Sequence, residues 1–517
     1  MNCHVGIDIG AVSATAALLV DGRDQAAATA AFGENFKFEK ILSSGHALYL
    51  STYRRTRGKP LAAATELIEQ IIAAFGTDGV KGICLTGSGS KLSADKLGVP
   101  MLNEFKSISV GLSAMGCDVR TVFEMGGESS KYLRLARNAD GSFGIVDYST
   151  NGDCAAGTGS FIDQQAGRLK YAVEDIGKIV LDAERAAQVA GRCSVFAKSD
   201  MIHAQQKGYT PAEVLRGLCN AVARNFRTAV VRSHPVEGPV AFIGGVAANA
   251  AVVRAMREAF ELDESQMLVP AGFSHISAIG AAVSAAKADH AVNLAHMDDL
   301  RAASDTAHGT FSRQDPLKMD NVLLLRDRVT PYIPPATGKI DACLGIDIGS
   351  VSTNVVAISQ DGELIKEVYV RTKGRPIEVV AAALVDLEKE LGSRLNIRGV
   401  GTTGSGRELI GELIGADTIN DEITAHKTGA TYVGKKMLGG RVPDTIFEIG
   451  GQDSKFISLQ DGVVVDFTMN EACAAGTGSF LEERAEELDI SIVGQFAKMA
   501  LASEEPIRLG ERCTVFM

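Results

Sequence analysis

Five short segments occur twice in this chain, in the same order both times. Residues 5–20, V-G-I-D-I-G-A-V-S-A-T-A-A-L-L-V, match residues 344–359, L-G-I-D-I-G-S-V-S-T-N-V-V-A-I-S. The other pairs are T-G-S-G at 86–89 and 403–406, F-E-x-G-G at 123–127 and 447–451, C-A-A-G-T-G-S-F at 154–161 and 473–480, and R-C-x-V-F at 192–196 and 512–516. Such ordered self-similarity indicates a tandem duplication. Whatever fold one copy adopts, the other is expected to adopt as well.

Each copy alternates short Val- and Ile-rich runs with amphipathic stretches such as residues 61–75. This alternation indicates an α/β fold. A chain of 517 residues is too long for one hydrophobic core, and the repeat divides it. We predict a first copy over residues 1–287, a linker with a proline-rich segment over residues 288–341, and a second copy over residues 342–517.

The second copy has no counterpart of the segment that follows R-C-S-V-F in the first copy. That segment contains F-I-G-G-V-A-A-N at 242–249 and an alanine-rich stretch at 276–287 that predicts a helix. We interpret R-C-T-V-F at 512–516 as the beginning of a strand. A domain that stops there lacks its partner sheet, so we expect a fragment whose second copy is incomplete at the C-terminus.

Charge and composition exclude several classes of protein. A net charge of -11 disfavours binding to nucleic acid. The N-terminus has no basic region and Asp8 interrupts its apolar run, so neither a signal peptide nor a membrane span is expected, and the predicted location is cytoplasmic. Nine cysteines without a C-x-x-C pair indicate thiolate or metal chemistry rather than a secreted disulfide framework.

The opening segment of each copy predicts a phosphate site. G-I-D-I-G-x-V-S is typical of two strands joined by a turn that glycine permits. Such a turn presents backbone N–H groups and a hydroxyl to an anion, while Asp8 or Asp347 faces the metal that accompanies it. An unpaired carboxylate in an apolar strand is costly, which also favours a magnesium or phosphate role for these two residues.

Three ordered segments carry a resemblance to a superfamily. D-I-G-x-V-S, E-x-G-G and G-G-V-A-x-N resemble the phosphate-1, phosphate-2 and adenosine elements of the acetate and sugar kinase, Hsp70 and actin superfamily. The resemblance implies two RNase H-like lobes that close on Mg-ATP. The implied catalytic residues are Asp8, Glu124, Asp347, Glu448, Gln452 and Asp453. The implied nucleotide-binding residues are Gly10, Ser13, Gly126, Gly127, Gly244, Gly245, Asn249, Gly349, Ser350, Ser352, Gly450 and Gly451.

The two cysteine segments resemble one family within that superfamily. C-A-A-G-T-G-S-F followed 39 residues later by the cysteine of R-C-S-V-F is similar to the BadF/BadG/BcrA/BcrD ATPases, which include activators of 2-hydroxyacyl-CoA dehydratases. In those activators a homodimer holds one 4Fe-4S cluster with two cysteines from each subunit. The resemblance implies Cys154, Cys193, Cys473 and Cys513 as cluster ligands. Fusion of two copies would make an intramolecular pseudo-dimer, although a homodimer remains an alternative.

The position of the repeated cysteines suggests how a cluster could be stabilised. We predict that C-A-A-G-T-G-S-F places its cysteine at the start of a helix, where N–H groups and the helix dipole favour thiolate over thiol. If ATP closes each cleft, these helices could act as levers on the cluster. The remaining cysteines are expected to be structural: Cys3, Cys84, Cys117, Cys219 and Cys343.

The family resemblance implies an ATP-gated one-electron donor to a partner enzyme of the 2-hydroxyacyl-CoA dehydratase or benzoyl-CoA reductase type. Its electron would come from ferredoxin or flavodoxin. Two alternatives stay open: a small-molecule kinase of the same superfamily, and a non-catalytic nucleotide-binding scaffold. Anaerobically purified protein would be brown if it is the electron donor and colourless if it is a kinase.

The two copies differ at several of these positions. The second copy has Ser350 for Ala11, Asp453 for Ser129, Arg407 for Ser90, and His426 for Ile108 or Ser109. A hydroxyl, a carboxylate and a histidine are therefore missing together from the first copy. We predict that the second copy, in its full-length form, hydrolyses ATP, whereas the first copy binds nucleotide weakly or regulates.

Overall fold

A computed structural model describes residues 1–152, 154–181, 183–189, 193–288, 297, 301, 313–372, 374–470, 473–509, 513 and 515. The chain divides into two compact units. The first unit is Met1–Ser312 with Arg508–Met517, and the second unit is Arg313–Ile507. The domain boundaries drawn from the repeat remain predictions.

The first sheet of the first unit is built around the predicted hairpin. Its strands are β1 (Cys3–Ile9), β2 (Ser13–Asp21), β3 (Phe36–Ile41), β4 (His46–Ser51), β5 (Arg54–Arg55) and β6 (Val80–Thr86). Their order is β3-β4-β2-β1-β6, and β5 pairs with β2. β1 and β2 are antiparallel, with Ile9 opposite Ala14, while β6 runs parallel to β1. This confirms the hairpin and places its turn at the end of two central strands of the sheet.

Four helices accompany this first lobe: α1 (Gln25–Phe32), α2 (Pro60–Phe75), α3 (Ser90–Leu97) and α4 (Glu104–Ala114). α2 confirms the amphipathic prediction. Its buried residues Leu61, Ala64, Leu67, Ile68 and Ile71 recur at helical spacing and lie in the core under the sheet. Proline begins this helix because the first helical N–H needs no partner, and a glycine with positive φ ends it.

The second lobe of the first unit is a mixed sheet covered by helices. Its strands are β7 (Thr121–Met125), β8 (Ser130–Arg137), β9 (Phe143–Thr150), β10 (Val240–Ile243) and β11 (Met267–Leu268), in the order β11-β10-β7-β8-β9. Its helices are α5 (Gly159–Arg168), α6 (Ile176–Leu181), α7 (Ser194–Gln206), α8 (Pro211–Asn225) and α9 (Ala250–Phe260). Phe123 on β7 is fully buried, and its ring centroid lies 5.2 Å from that of Phe226 and 4.5 Å from that of Phe260.

The last described helix of the first unit, α10 (Ile276–Lys287), ties the two lobes together. It follows β11 of the second sheet but packs on β1 of the first sheet and on α4. Glycine makes this approach possible, because a Cβ atom on Gly6 would lie 2.1 Å from the carbonyl oxygen of Ala278. A Cβ atom on Gly280 would lie 1.9 Å from the carbonyl oxygen of Ser107. The alanine-rich helix predicted from the sequence is therefore confirmed, and it fixes the floor of the cleft between the lobes.

The second unit repeats the beginning of this plan. Its first sheet contains β12 (Ile340–Ile348), β13 (Ser352–Ser359), β14 (Leu364–Arg371), β15 (Leu395–Thr403) and β16 (Thr418–Ile419), in the order β14-β13-β12-β15-β16. Its second sheet contains β17 (Thr445–Ile449), β18 (Ser454–Gln460) and β19 (Val463–Met469). Its helices are α11 (Pro376–Leu391), α12 (Arg407–Ile414), α13 (Glu422–Met437), α14 (Gly478–Glu487) and α15 (Ala497–Leu501). The α/β class and the duplicated fold are thus confirmed.

The second sheets of the two units differ in how they are covered. Phe447 on β17 occupies the position of Phe123 on β7, yet Phe447 is 77% exposed whereas Phe123 is 0% exposed. In the first unit β10, α8 and α9 cover that face. The described residues of the second unit contain no equivalents of these three elements.

R-C-S-V-F in the first copy leads into a helix. Cys193 is the N-cap residue of α7, and its carbonyl oxygen accepts the N–H of Ala197 at 2.9 Å. The strand prediction concerns the matching segment of the second copy, R-C-T-V-F, of which Arg512, Thr514 and Phe516 lie outside the described residues, so it stays a prediction. None of the helices in the described ranges combines the length and apolar character needed to cross a membrane.

Candidate functional site

A cleft with about 720 Å³ of empty space lies between the two lobes of the first unit. The three predicted nucleotide elements meet there. Eight of the predicted residues line it: Asp8, Gly10, Ser13, Glu124, Gly126, Gly127, Gly244 and Gly245. Asn249 is placed differently, since its Oδ1 atom caps α9 by accepting the N–H groups of Ala251 and Val252 at 3.0 and 3.3 Å.

The phosphate-1 turn is closed by one hydrogen bond in each unit. The N–H of Gly10 donates to the carbonyl oxygen of Ser13 at 2.9 Å. In the second unit the N–H of Gly349 donates to the carbonyl oxygen of Ser352 at the same distance, 2.9 Å. Ser350, which replaces alanine in this turn, has its Oγ 3.4 Å from Oγ of Ser405. The second unit therefore adds one hydroxyl group, that of Ser350, to an otherwise similar turn, since Ser405 corresponds to Ser88 of the first unit.

The phosphate-2 turn packs directly on the phosphate-1 turn. The N–H of Gly126 donates to the carbonyl oxygen of Ser129 at 2.9 Å. A Cβ atom on Gly127 would lie 2.4 Å from a methyl carbon of Val12, so only glycine fits between the two turns.

The second unit repeats this arrangement. The N–H of Gly450 donates to the carbonyl oxygen of Asp453 at 2.9 Å, and a Cβ atom on Gly451 would lie 2.5 Å from Val351. Gln452 lies in the same turn.

A buried lysine joins two glutamates beside these turns, an arrangement that we name the lysine cage. In the first unit Nζ of Lys131 lies 2.8 Å from Oε2 of Glu104 and 3.0 Å from Oε2 of Glu124. In the second unit Nζ of Lys455 lies 2.7 Å from Oε2 of Glu422 and 2.9 Å from Oε2 of Glu448. A salt bridge buried to this degree persists because every charge has a close partner.

The sequence analysis missed the lysines and the first glutamate of each cage. Signals were present, because Lys131 and Lys455 end the matching segments F-E-x-G-G-x-x-S-K. Glu104 and Glu422 likewise each follow a residue, Asn103 or Asp421, whose side chain caps a helix.

The cage of the first unit perturbs the carboxylates around it. Burial, together with a smaller effect of the neighbouring Glu104, raises the pKa of Asp8 to about 7. Burial also raises the pKa of Glu124, although Lys131 opposes this. Burial alone would lower the pKa of Lys131, but Glu124 and Glu104 outweigh it and raise that pKa above its ordinary value. Three carboxyl groups thus surround one ammonium group, and a divalent cation with oxygen ligands would relieve the excess negative charge.

In the second unit the corresponding aspartate is less deeply buried but is perturbed in the same direction. Burial raises the pKa of Asp347, while His426 opposes and Glu422 supports the shift. The cage of this unit also contains groups that the first unit lacks. Oδ1 of Asp453 lies 3.1 Å from Nζ of Lys455, and Nε2 of His426 lies 3.8 Å from Oε2 of Glu448.

The first unit has a hydroxyl and an aliphatic side chain at these two positions. Oγ of Ser129 lies 2.8 Å from Nζ of Lys131, and Ile108 is buried at the position of His426. Of the two alternatives left open by the sequence, Ile108 and Ser109, the helix registers favour Ile108, because Glu104 and Glu422 begin their helices.

The cysteines of the repeated segment are exposed and lie in loops rather than at helix starts. We name residues 154–158 and 473–477 the cysteine loops. α5 begins at Gly159 after the cap residue Thr158, so Cys154 precedes the helix by several residues. The prediction of a helix-start cysteine is therefore wrong here, because Gly157 with φ +76° turns the chain before the helix begins. Cys473 is separated from α14 in the same way.

Local backbone groups still favour thiolate chemistry in these loops. Sγ of Cys154 accepts the N–H of Ala156 at 3.4 Å, and Sγ of Cys473 accepts the N–H of Ala475 at 3.4 Å. Both cysteines are exposed, and the alanines and glycine beside them leave room for a bulky group. Exposed sulfur atoms that accept N–H hydrogen bonds fit the thiolate ligands of an iron–sulfur cluster.

The other two predicted ligands are less exposed. Cys193 is buried at the cap of α7, and Cys513 is half-buried. Within the described ranges, no three His, Cys, Asp or Glu side chains stand together as a metal-binding group.

Four of the five remaining cysteines have surroundings that favour the neutral thiol. Burial raises the pKa of Cys3 to about 12, of Cys84 to about 11 and of Cys219 to about 12. Burial also raises the pKa of Cys117. This contrasts with the exposed cysteines of the loops.

The helix that follows each cysteine loop is hydrogen-bonded to the phosphate-2 turn, and the loop itself is hydrogen-bonded to the strand that follows that turn. In the first unit the N–H groups of Gly159 and Ser160 donate to the carbonyl oxygens of Gly126 and Gly127, both at 2.8 Å. Oγ of Ser130 donates to the carbonyl oxygen of Gly157 at 2.6 Å. The nucleotide cleft and the cysteine loop are therefore parts of one continuous hydrogen-bonded structure.

The second unit has the same contacts. The N–H groups of Gly478 and Ser479 donate to the carbonyl oxygens of Gly450 and Gly451 at 2.8 and 2.9 Å, within 0.1 Å of the distances in the first unit. Oγ of Ser454 donates to the carbonyl oxygen of Gly476 at 2.6 Å. Duplication has thus preserved the connection as well as the sequence.

Several known proteins are similar to parts of this chain. An uncharacterized protein of Methanocaldococcus jannaschii is 37% identical over 176 residues, which are 34% of this chain and 41% of that relative. The 2-hydroxyisocaproyl-CoA dehydratase activator of Clostridioides difficile is 26% identical over 283 residues, 54% of this chain and 93% of the activator. The solved structure of the activator of the 2-hydroxyisocaproyl-CoA dehydratase from Clostridium difficile with bound ADPNP has 21% identity and a TM-score of 0.45, and the match covers 60% of this chain and 100% of that one.

The family comparison covers both copies. The model of the BadF/BadG/BcrA/BcrD ATPase family matches residues 5–285 and 344–517. These two segments contain the phosphate turns, the lysine cages and the cysteine loops. This chain therefore belongs to the BadF/BadG/BcrA/BcrD ATPase family.

Proposed function

We propose that this chain is an ATP-dependent activator that passes single electrons from a 4Fe-4S cluster to a partner enzyme acting on CoA esters. The partner would be of the 2-hydroxyacyl-CoA dehydratase or benzoyl-CoA reductase type. One observation carries the proposal: in each unit an exposed cysteine lies in a loop that leads into a helix, and the start of this helix is hydrogen-bonded to the phosphate-2 turn of an ATPase fold. Family membership and the name of the Clostridioides difficile relative support the same reading.

The first unit offers a complete set of groups for Mg-ATP. The N–H groups of the two glycine turns would bind the phosphates, and Gly244 with Gly245 would lie against the adenosine. Asp8 and Glu124 would hold Mg²⁺, which prefers carboxylate oxygen ligands. Asn249 would act indirectly, by fixing the start of α9 beside the adenosine.

The second unit, in the full-length protein, would supply the groups for hydrolysis. Gly349, Ser350, Ser352, Gly450 and Gly451 would bind phosphates, and Asp347 with Glu448 would hold Mg²⁺. Asp453 would orient and deprotonate the attacking water, with Gln452 and His426 beside it. The products are ADP and phosphate.

The two copies would accordingly have different roles in nucleotide binding and hydrolysis. The first unit has Ser129 and Ile108 in place of Asp453 and His426, so it lacks both the carboxylate and the imidazole. Its phosphate turns are intact. The first unit would bind nucleotide without turning it over at a comparable rate, and the second unit would hydrolyse.

Cys154, Cys193, Cys473 and Cys513 would hold the cluster, two from each copy. A 4Fe-4S cluster supplies one-electron transfer at low potential when it is bound. The N–H groups of Ala156 and Ala475 would stabilise the thiolates, and the small residues of each loop would let the ligands approach. An intramolecular pseudo-dimer accounts for four ligands in one chain, and a homodimer is the alternative arrangement. The reducing electron would come from a ferredoxin or a flavodoxin.

The test is anaerobic reconstitution with iron and sulfide. We expect about four irons per chain, as a cluster with four thiolate ligands requires, and a brown colour that bleaches in air. Changing Cys154 or Cys473 to serine should lower the iron content and the visible absorbance, whereas the matched variant C117S should leave both unchanged. A colourless protein that phosphorylates acetate or a sugar would overturn the proposal in favour of a kinase.

A further inference from the structure

An arginine beside each phosphate-1 turn reaches across to the helix that follows the cysteine loop. In the first unit Arg55 ends β5 and pairs in register with Ser13 of the phosphate-1 turn. Its guanidinium donates to Oδ2 of Asp163 in α5. Arg55 belongs to the first lobe and Asp163 to the second, so this ion pair bridges the cleft.

The second unit contains the same bridge with a longer acid. Arg371 ends β14 and pairs in register with Ser352. Nη1 and Nη2 of Arg371 lie 3.1 and 2.9 Å from the two carboxylate oxygens of Glu482 in α14, a bidentate geometry. The hydrogen bond that Arg371 donates to Glu482 raises the pKa of Arg371 above its ordinary value. Recurrence at equivalent positions, with the carboxylate kept while the residue changes, sets this pair apart from an incidental surface contact.

The acid of each pair lies on the helix that follows the cysteine loop. In the first unit Oγ1 of the buried Thr158, the cap residue of α5, donates to the carbonyl oxygen of Ala155 in the loop at 2.6 Å. Nδ2 of Asn151 donates to the carbonyl oxygen of Cys154 at 2.6 Å, and Oδ1 of Asn151 accepts the N–H of Ser130 at the start of β8 at 2.9 Å. The first of these bonds links α5 to the cysteine loop, and the other two link Cys154 to β8, beside the phosphate-2 turn.

We propose that the Arg55–Asp163 and Arg371–Glu482 pairs are positioning residues that couple nucleotide occupancy of each cleft to the placement of the adjacent cysteine. This inference rests on the proposed function, since it requires that the clefts bind ATP. Phosphates held between the two glycine turns draw the lobes together. The arginine follows the phosphate-1 turn because it is hydrogen-bonded in the same strand pair, and its carboxylate partner transmits the movement to the helix and the cysteine loop.

The experiment measures the alkylation rate of Cys154 by iodoacetamide in the full chain without a cluster, with and without Mg-ATP. Peptide mass spectrometry separates Cys154 from the other cysteines, and calorimetry gives the ATP affinity of the same samples. The variants are R55E, D163R and the double variant R55E/D163R. The matched control is R54E, which breaks the neighbouring Arg54–Glu66 pair, because that pair lies wholly within the first lobe.

We expect ATP to change the rate at Cys154 in the natural chain and in R54E. The pair is only partly buried, so each single variant should reduce this ATP effect by about twofold to fivefold while the ATP affinity changes less. The double variant should restore the effect, which a folding defect in a single variant could not explain.

Two results would overturn the coupling. One is bound ATP that leaves Cys154 alkylation unchanged in the natural chain, and the other is a double variant that behaves like the single ones. A chain that binds no ATP in calorimetry would instead overturn the proposed function, and the inference with it. The affinity measurement therefore separates the two failures.

Discussion

Oδ1 of Asp453 lies 3.1 Å from Nζ of Lys455, whereas the first unit has Oγ of Ser129 at 2.8 Å from Nζ of Lys131. The same buried lysine thus faces a carboxylate in one copy and a hydroxyl in the other. A carboxylate can accept a proton from water at neutral pH, and a serine hydroxyl cannot. This difference is the physical basis for assigning hydrolysis to the second copy.

The first prediction concerns that carboxylate. In the full-length protein, D453S should lower the turnover number for ATP by about 10²–10⁴-fold, the usual contribution of a positioned general base. S129N, at the equivalent position of the first copy, should change it much less. Phosphate release under saturating Mg-ATP measures both. Equal losses of ATPase activity in D453S and in a D8N variant would show that the copies are not specialised.

The second prediction uses the pKa of Asp8, which burial raises from 3.8 to about 7. A carboxyl group with a raised pKa in the folded state stabilises the fold below its unfolded pKa, and this stabilisation is lost as the pH rises through about 7. D8N carries no charge. Without metal or nucleotide it should therefore raise the free energy of unfolding at about pH 8.5 by up to about 4 kcal/mol, and very little at about pH 4.

Urea unfolding at the two pH values checks this prediction. The exposed variant D78N serves as the control and should show no such pH dependence. A D8N protein that is less stable than the natural chain at the higher pH would contradict the buried, metal-free charge that the structure describes.

The third prediction concerns the lysine cage of the first unit. K131M should lower the free energy of unfolding by about 3–5 kcal/mol, because it leaves Glu104 and Glu124 buried without their cation. The triple variant K131M/E104Q/E124Q should recover most of this loss, since it removes the uncompensated charges too. Thermal unfolding without ligand compares them. If the triple variant is no more stable than K131M, packing of the lysine stem rather than charge dominates.

Local patterns were readable from the sequence because their signals are local. The hairpin around Asp8 follows from alternating apolar residues and a glycine turn, and α2 follows from helical spacing of Leu61, Ala64 and Leu67. Repetition of these patterns doubled the information available for each. The phosphate turns were found for the same reason.

The remaining features depend on contacts between distant residues. Lys131 and Glu104 are 27 positions apart, and Arg55 and Asp163 are 108 positions apart, so no periodicity reveals their pairing. The error at Cys154 had a local cause instead. Three residues, the last of them a positive-φ glycine, separate it from the cap residue of α5, and the apolar pattern does not show this turn.

The most direct measurement of the central claim is the ATP dependence of electron transfer from the reconstituted chain. The chain is reduced anaerobically and mixed with a 2-hydroxyacyl-CoA dehydratase as the partner enzyme. The visible absorbance of the cluster then reports its oxidation. We predict that the reduced chain is reoxidised by the partner only when Mg-ATP is present, and that a non-hydrolysable analogue supports at most one turnover. Reoxidation at the same rate without ATP, or none with ATP although about four irons are bound per chain, would contradict the account.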